Sequence, residues 1–176
     1  MSKHVAFFRY VNFGKLGSPT SKDLVDAFGG PDMARNHQTN GTIIFHSDTP
    51  KALTRAAVAK LRASGFSQEV IVRPLGDLVR IVAEQSVVPA DEALHKIMVS
   101  FFDYCHTELP REVPFQSTNG LVETRRLTQQ YAISACWIKR RTVGDATVLL
   151  ERVLGVPVTS RTMGTLERLI KKYSSN

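Results

Sequence analysis

The stretch Ala34-Arg35-Asn36-His37-Gln38-Thr39-Asn40-Gly41-Thr42-Ile43-Ile44-Phe45-His46 decides the reading of the first half of the chain. Asn40-Gly41 is its turn signal, because both central positions of a type I′ turn need positive φ, which Asn and Gly tolerate best. Thr42 to His46 is rich in β-branched and aromatic residues, which suits the returning strand. Ala34 to Gln38 is the strand expected to pair with it. A hairpin turning at Asn40-Gly41 is therefore expected.

The elements on either side follow from it. Upstream, His4 to Val11 reads as a strand and Asn12 to Pro19 as a glycine-containing loop. Ser18 or Thr20 then caps a helix that ends near Phe28, with Gly29-Gly30-Pro31 as the stop. Downstream, Asp48 or Thr49 caps a helix with Pro50 in its first turn, and Gly65 closes it. Glu69 to Arg73 is a short strand, and Leu75, Leu78, Val79 and Val82 have the spacing of one more amphipathic helix. Residues 4–73 thus run strand, helix, strand, turn, strand, helix, strand. That is the split βαβ order of a ferredoxin-like α+β domain, an antiparallel sheet with two helices on one face.

The second half partly repeats this pattern. Lys96 to Phe102 is a strand, and Leu121 to Thr124 with Gln130 to Trp137 form a hairpin pair. Ala146, Leu149, Leu150 and Val153 mark a helix stopped by Gly155 and Pro157, and Met163, Leu166, Leu169, Ile170 and Tyr173 mark the last helix. Residues 103–119 match neither period. The expected organisation is a ferredoxin-like subdomain over 1–85 and a second α/β subdomain over 90–176, packed as one compact unit, with the boundary near Ser86 to Asp91 where Pro89 interrupts the pattern.

Bulk properties set the class. Of the 176 residues, 43% are hydrophobic and 22% charged, an ordinary globular balance that argues against long disordered stretches. No apolar run reaches the roughly 18 to 20 residues of a membrane helix, and the N-terminus leads into a strand rather than a signal peptide. Cys105 and Cys136 alone make neither a disulfide framework nor a zinc ribbon, so a reducing, bacterial-type cytoplasm is the expected compartment. The net charge of +7 is uneven: residues 1–119 carry 13 Lys/Arg against 12 Asp/Glu, and residues 120–176 carry 10 against 4. A basic last third fits either a polyanion partner or a surface that keeps the protein soluble.

Several chemistries are excluded. There is no GxSxG elbow, no GxxxxGK[ST] loop and no GxGxxG. His4, His37, His46, His95 and His106 form no HExxH, and the cluster Asp103 to Glu108 lacks the spacing that brings ligands onto one metal. No cofactor and no metal are expected. Phe7, Phe8, Tyr10 and Phe45 are expected as core rather than as a base-stacking platform, since the basic-Gly-aromatic signature of RNA-recognition motifs is missing.

The expected topology singles out one end of the sheet. The first strand ends where the second turns into the third, so the loop Asn12 to Ser18 and the turn Thr39 to Thr42 share that end. The first helix begins there too, which makes a pocket for an anionic or polar ligand with Arg9, Asn12, Gly14, Lys15, Asn40 and Gly41. Arg9 is expected on the strand face of Val5, Phe7 and Val11, and neither Asn12 to Ser18 nor Ala34 to Ser47 offers it a carboxylate, although Asp32 or Glu69 can fold in. The alternative is that Gly14, Gly17, Asn40 and Gly41 only make tight turns.

At these residues the chain resembles a family. Arg9-Tyr10-Val11-Asn12-Phe13-Gly14 resembles the R-G-I-N-V-G signature of the bacterial proteins called domain of unknown function 1697, and Thr39-Asn40-Gly41-Thr42-Ile43-Ile44-Phe45 their Q-S-G-N-V-V-F. Thr159-Ser160-Arg161-Thr162-Met163-Gly164-Thr165 resembles their T-x-R-N-W-N-T. The resemblance implies an α/β fold with ferredoxin-like halves and adds Thr159, Arg161 and Thr165 to the candidate site, but it implies no reaction. Tyr10 stands where the motif has glycine, Thr39 and Thr42 where it has Gln and Asn, and Thr162, Met163 and Gly164 where it has Asn, Trp and Asn.

Three readings stay open on the sequence. The first is a binding or catalytic pocket for a small anionic or polar ligand. The second is a nucleic-acid-associated protein in which Arg125, Arg126, Lys139, Arg140 and Arg141, flanking one hairpin, gather at one end. The third is a protein-interaction module.

Overall fold

The computed structural model describes residues 1–11, 13–14, 17–84 and 93–174. The first elements are β1 (Ser2–Phe8), α1 (Ser21–Ala27), β2 (Ala34–Asn36), β3 (Thr42–Ser47), α2 (Pro50–Ala63), β4 (Val70–Pro74) and α3 (Leu75–Ala83). They are followed by β5 (Leu94–Phe101), β6 (Phe115–Gln116), β7 (Val122–Leu127), β8 (Tyr131–Lys139), β9 (Thr142–Val143), α4 (Ala146–Leu154), β10 (Thr159–Thr162) and α5 (Met163–Tyr173). The chain divides into Met1–Leu78 and Val79–Asn176, a division that falls within α3. The boundary expected near 86–91 lies outside the described residues.

In the first unit the sheet order is β2-β3-β1-β4, with every neighbouring pair antiparallel. This is the ferredoxin-like order read from the sequence. Because side chains alternate along a strand, Ala6 and Phe8 of β1 face the same way as Ile43 and Phe45 of β3. Leu24 and Ala27 of α1 and Ala57 and Leu61 of α2 bury against that face, so both helices lie on it. Val5 and Phe7 on the opposite face are buried too, which explains why Val5 to Phe8 is an unbroken apolar run rather than an alternating one.

Local chemistry sets the helix ends. Thr20, not Ser18, caps α1: its hydroxyl accepts from the Asp23 N–H, and the Asp23 carboxylate accepts from the Thr20 N–H at 2.8 Å. Thr49 rather than Asp48 precedes α2, with Pro50 in the first turn.

The hairpin turn differs from expectation. Left-handed backbone falls at Gln38 (φ 65) and Gly41 (φ 67), not at Asn40. The loop is longer than a two-residue type I′ turn because β2 already ends at Asn36. The Asn36 amide donates to the Gln38 carbonyl, and the His37 N–H closes the loop onto the Thr42 carbonyl at 2.7 Å. Asn40 contributes through its side chain, accepting from the Thr42 hydroxyl at 2.9 Å. Gly41 is also required by space, since a Cβ there would lie 2.7 Å from the Cβ of Val11.

The second unit has the order β10-β5-β8-β7-β6, with β9 paired to β8. Taking β5, β7, β8 and β10 as strands one to four, this is the order of the first sheet again. α4 stands where α2 stood, and α5 follows β10 as α3 follows β4. The repeat is partial because no helix separates β5 from β7. That stretch runs irregularly, and β6 adds an edge strand beside β7. Leu150 and Leu154 of α4 pack with Phe102, Phe115, Leu127 and Ala132. α4 is capped by Asp145 and ended by Gly155 in left-handed backbone (φ 68). Among the described residues no helix is long and apolar enough to cross a membrane.

The two cysteines differ sharply. Cys105 is exposed, while Cys136 is buried and desolvation pushes its thiol up to about 11. At pH 8 roughly one Cys136 thiol in a thousand is then ionised, against about a quarter for an ordinary thiol. The native protein is expected to release one equivalent of chromophore rapidly with Ellman's reagent, from Cys105, and two only in denaturant. Two fast equivalents in the native state would show that Cys136 is open to solvent.

Candidate functional site

β1 ends at Phe8, and the backbone then breaks the strand alternation. Tyr10 is left-handed (φ 55) and two-thirds exposed, at 67%. This φ is the physical reason a glycine suits that position of the motif, since an L-residue pays about 1 to 2 kcal/mol to occupy it. The turn also breaks the row expected for Val5, Phe7, Arg9 and Val11. Val11 does not continue the row of Val5 and Phe7 but joins the cluster of Ala6, Phe8 and Leu24. Arg9 is only half-buried: its N–H donates to the Glu69 carbonyl at 3.0 Å, and its guanidinium donates to the Tyr10 hydroxyl at 2.8 Å and lies 4.2 Å from the Tyr10 ring centre.

The turn before β3 packs on the end of β1. The Phe8 N–H donates to the Gly41 carbonyl at 2.8 Å, and Gly41 abuts Phe8 and Val11. Gly14 (φ 90) has open space around it, so its need for glycine is conformational. Asn12 and Lys15 lie outside the described residues. A shallow pocket of about 160 Å³ is lined by Tyr10, Gly17 and Ser18 on one side and by residues 65–68 on the other. Neither Asn40 nor Gly41 lines it.

The N-terminus of α1 is occupied by its own cap. α1 has seven residues, and its capping box already engages the Asp23 N–H on the Thr20 hydroxyl. Asp23 also places a carboxylate where an anion would have to sit, and its bonds to Thr20 hold it below the usual carboxylate range.

Thr159, Arg161 and Thr165 belong to the second unit, and all three are buried. The Arg161 guanidinium donates to the Thr159 hydroxyl at 3.0 Å and the Ser160 carbonyl at 2.8 Å, and burial lowers its pKa to about 10. The threonines of this segment build the start of α5. Thr162 accepts from the Thr165 N–H at 3.2 Å, and the two hydroxyls lie 2.9 Å apart. Of the candidate residues here, Thr165 is thus tied to helix capping.

The five basic candidates do not gather. Arg126 pairs with Ile133 on β8, whereas Lys139 lies six residues further along, about 20 Å away at strand rise. Their separation follows from the antiparallel register: Arg125 and Arg126 lie toward the β7–β8 turn, and Lys139 at the other end of β8. Arg125 forms an ion pair with Glu123, and Arg126 with Glu84 at 3.0 Å, where the Tyr131 hydroxyl also donates at 2.8 Å. Lys139, Arg140 and Arg141 form the exposed tip of the β8–β9 hairpin, with Arg140 (φ 48) and Arg141 (φ 67) both left-handed.

Among the described residues no group of three or more His, Cys, Asp or Glu side chains is placed to hold a metal. Sequence reasoning missed a pocket of about 560 Å³ in the second unit, lined by residues from 110–122 and 143–153. Part of that wall is the irregular 103–119 segment, which carried no periodic signal.

Fold and site together define an α+β protein whose first half is ferredoxin-like and whose second half repeats it in part, with a small loop-end pocket in the first. The chain belongs to the family described as protein of unknown function DUF1697, whose sequence model matches residues 1–123. No curated protein matches it. Its fold is similar to the solved structure of SP0830, a conserved bacterial protein from Streptococcus pneumoniae, with a TM-score of 0.62 and 14% identity over 97% of each chain.

Proposed function

We propose that the first unit binds a small anionic or polar ligand at the loop end of its sheet, in the pocket beside Tyr10, Gly17 and Ser18. The observation that carries this reading is Tyr10 itself. An exposed aromatic held in left-handed backbone is a strained arrangement, and strain of this kind concentrates at ligand sites. Tyr10 lines the pocket and carries the Arg9 guanidinium against its ring, so a cation stands next to an opening whose lining includes no Asp or Glu. The volume suits an ion or a small polar molecule.

Phosphate or sulfate is expected to raise the melting temperature of the wild type, and Arg9→Ala to weaken that effect. Ligand at 100 times its dissociation constant adds about 2.7 kcal/mol, which a thermal melt resolves. Equal anion-induced shifts in the wild type and in Arg9→Ala would end this reading.

A further inference from the structure

A cavity of about 560 Å³ opens in the second unit between the turn after β6 and α4. This is within the range of small-molecule sites, roughly 300 to 1,000 Å³. Val122, Leu149 and Val153 give it an apolar lining, extended by Val148, which is 52% exposed. Its charged groups are Arg111, Arg152 and Asp145. The carboxylate is already committed: one Asp145 oxygen accepts from the Thr147 N–H at 2.9 Å and the Val148 N–H at 3.2 Å, capping α4. Among the described residues neither arginine is in an ion pair with a carboxylate of the cavity. Arg111 is steadied by the Phe115 ring, 5.6 Å from its guanidinium carbon, and Arg152 projects from the last turn of α4. Asn119 points its chemistry the same way. Its side-chain oxygen accepts from the Ser117 hydroxyl and the Leu121 N–H, which leaves its amide nitrogen as a donor.

We propose that this cavity binds a small organic anion with an apolar body, the body on the valines and the acid group met by Arg111 and Arg152. The site is independent of the loop-end pocket of the first unit.

The test is a fluorescence titration of the full chain with 8-anilinonaphthalene-1-sulfonate, an anionic probe with an aromatic body, beside its uncharged relative N-phenyl-1-naphthylamine. Saturable binding of the sulfonate at one site is expected. Arg111→Gln with Arg152→Gln is expected to weaken it about tenfold, the equivalent of one charge-assisted contact, while the uncharged probe binds as before. Both arginines are exposed, so the double variant retains its fold, which circular dichroism checks. Val148→Trp, at an exposed position of the lining, is expected to narrow the cavity and weaken both probes. Arg9→Ala is expected to change neither titration. Unsaturable sulfonate binding, equal affinity in the double arginine variant, unchanged affinity for both probes in Val148→Trp, or their loss in Arg9→Ala would each overturn the proposal.

Discussion

Gly144→Ala is expected to destabilise the protein by about 3 kcal/mol, at the upper end of the usual cost of overpacking. Gly144 follows β9 and leads directly into Asp145, the cap of α4. Its N–H donates to the Trp137 carbonyl, and the Trp137 N–H in turn donates to the Leu121 carbonyl, both at 2.9 Å. A Cβ on Gly144 would lie 2.0 Å from that Leu121 oxygen and 2.7 Å from its carbon. The obstacle is backbone, so no rotamer change relieves it. Either the β7–β8 pairing loosens at Leu121, or Gly144 shifts and takes with it Ala146, which is buried against Val122 and Cys136. The effect is steric alone, because Gly144 is not in left-handed backbone. Gly14→Ala is the matched control: φ is +90 but nothing lies within 4 Å, so only about 1 kcal/mol of backbone strain is expected. Urea denaturation reads both variants as a fall in midpoint at unchanged slope. A loss below 1 kcal/mol for Gly144→Ala would show that the Leu121 carbonyl has room the structure denies it.

The contrast between Gly144 and Asn40-Gly41 shows what a sequence discloses. Asn40-Gly41 announces a turn by composition, and a turn is there, although the left-handed positions fall at Gln38 and Gly41. The signal is local, while the choice of turn was made by where β2 stops and by the His37–Thr42 closure. Gly144 gave no signal at all, because its reason is a backbone atom 23 residues away, at Leu121. The same division runs through the rest. The order of strands and helices in residues 4–73 was legible because each element carries its own period and cap. The face of Val11 was not, because it depends on one left-handed residue, Tyr10, that no β-strand pattern announces. Arg125 and Arg126 looked close to Lys139 only while the register was unknown. Even the repeat of the first half in the second could be only half seen, since the missing helix leaves residues 103–119 without periodicity.

Phe28→Ala is expected to cost about 3 to 5 kcal/mol, a large share of the 5 to 15 kcal/mol that ordinarily holds a domain together. Phe28 stands one residue beyond α1 and is fully buried. Its ring lies edge-on to Phe8 at 6.0 Å and tilted against Phe45 at 4.7 Å, so it joins β1 to β3, and Phe8 continues the cluster to Phe66 at 6.0 Å. Removing the central ring leaves a cavity that the surrounding strands and helices close only in part. The consequence reaches α1. A helix of seven residues is far below the length that is stable alone, so α1 depends on Leu24, Ala27 and Phe28 for its place. The loop before it, with Gly17 and Ser18, lines the Tyr10 pocket. Phe28→Ala is therefore expected to speed amide hydrogen exchange in α1 well beyond the change in β3, and to weaken anion protection without touching Arg9. Phe28→Leu, which keeps most of the volume, is expected to cost about 1 kcal/mol and to preserve both. If Phe28→Ala lowers stability by less than 1.5 kcal/mol, or if α1 and β3 lose exchange protection equally, Phe28 is not what anchors this helix to the sheet.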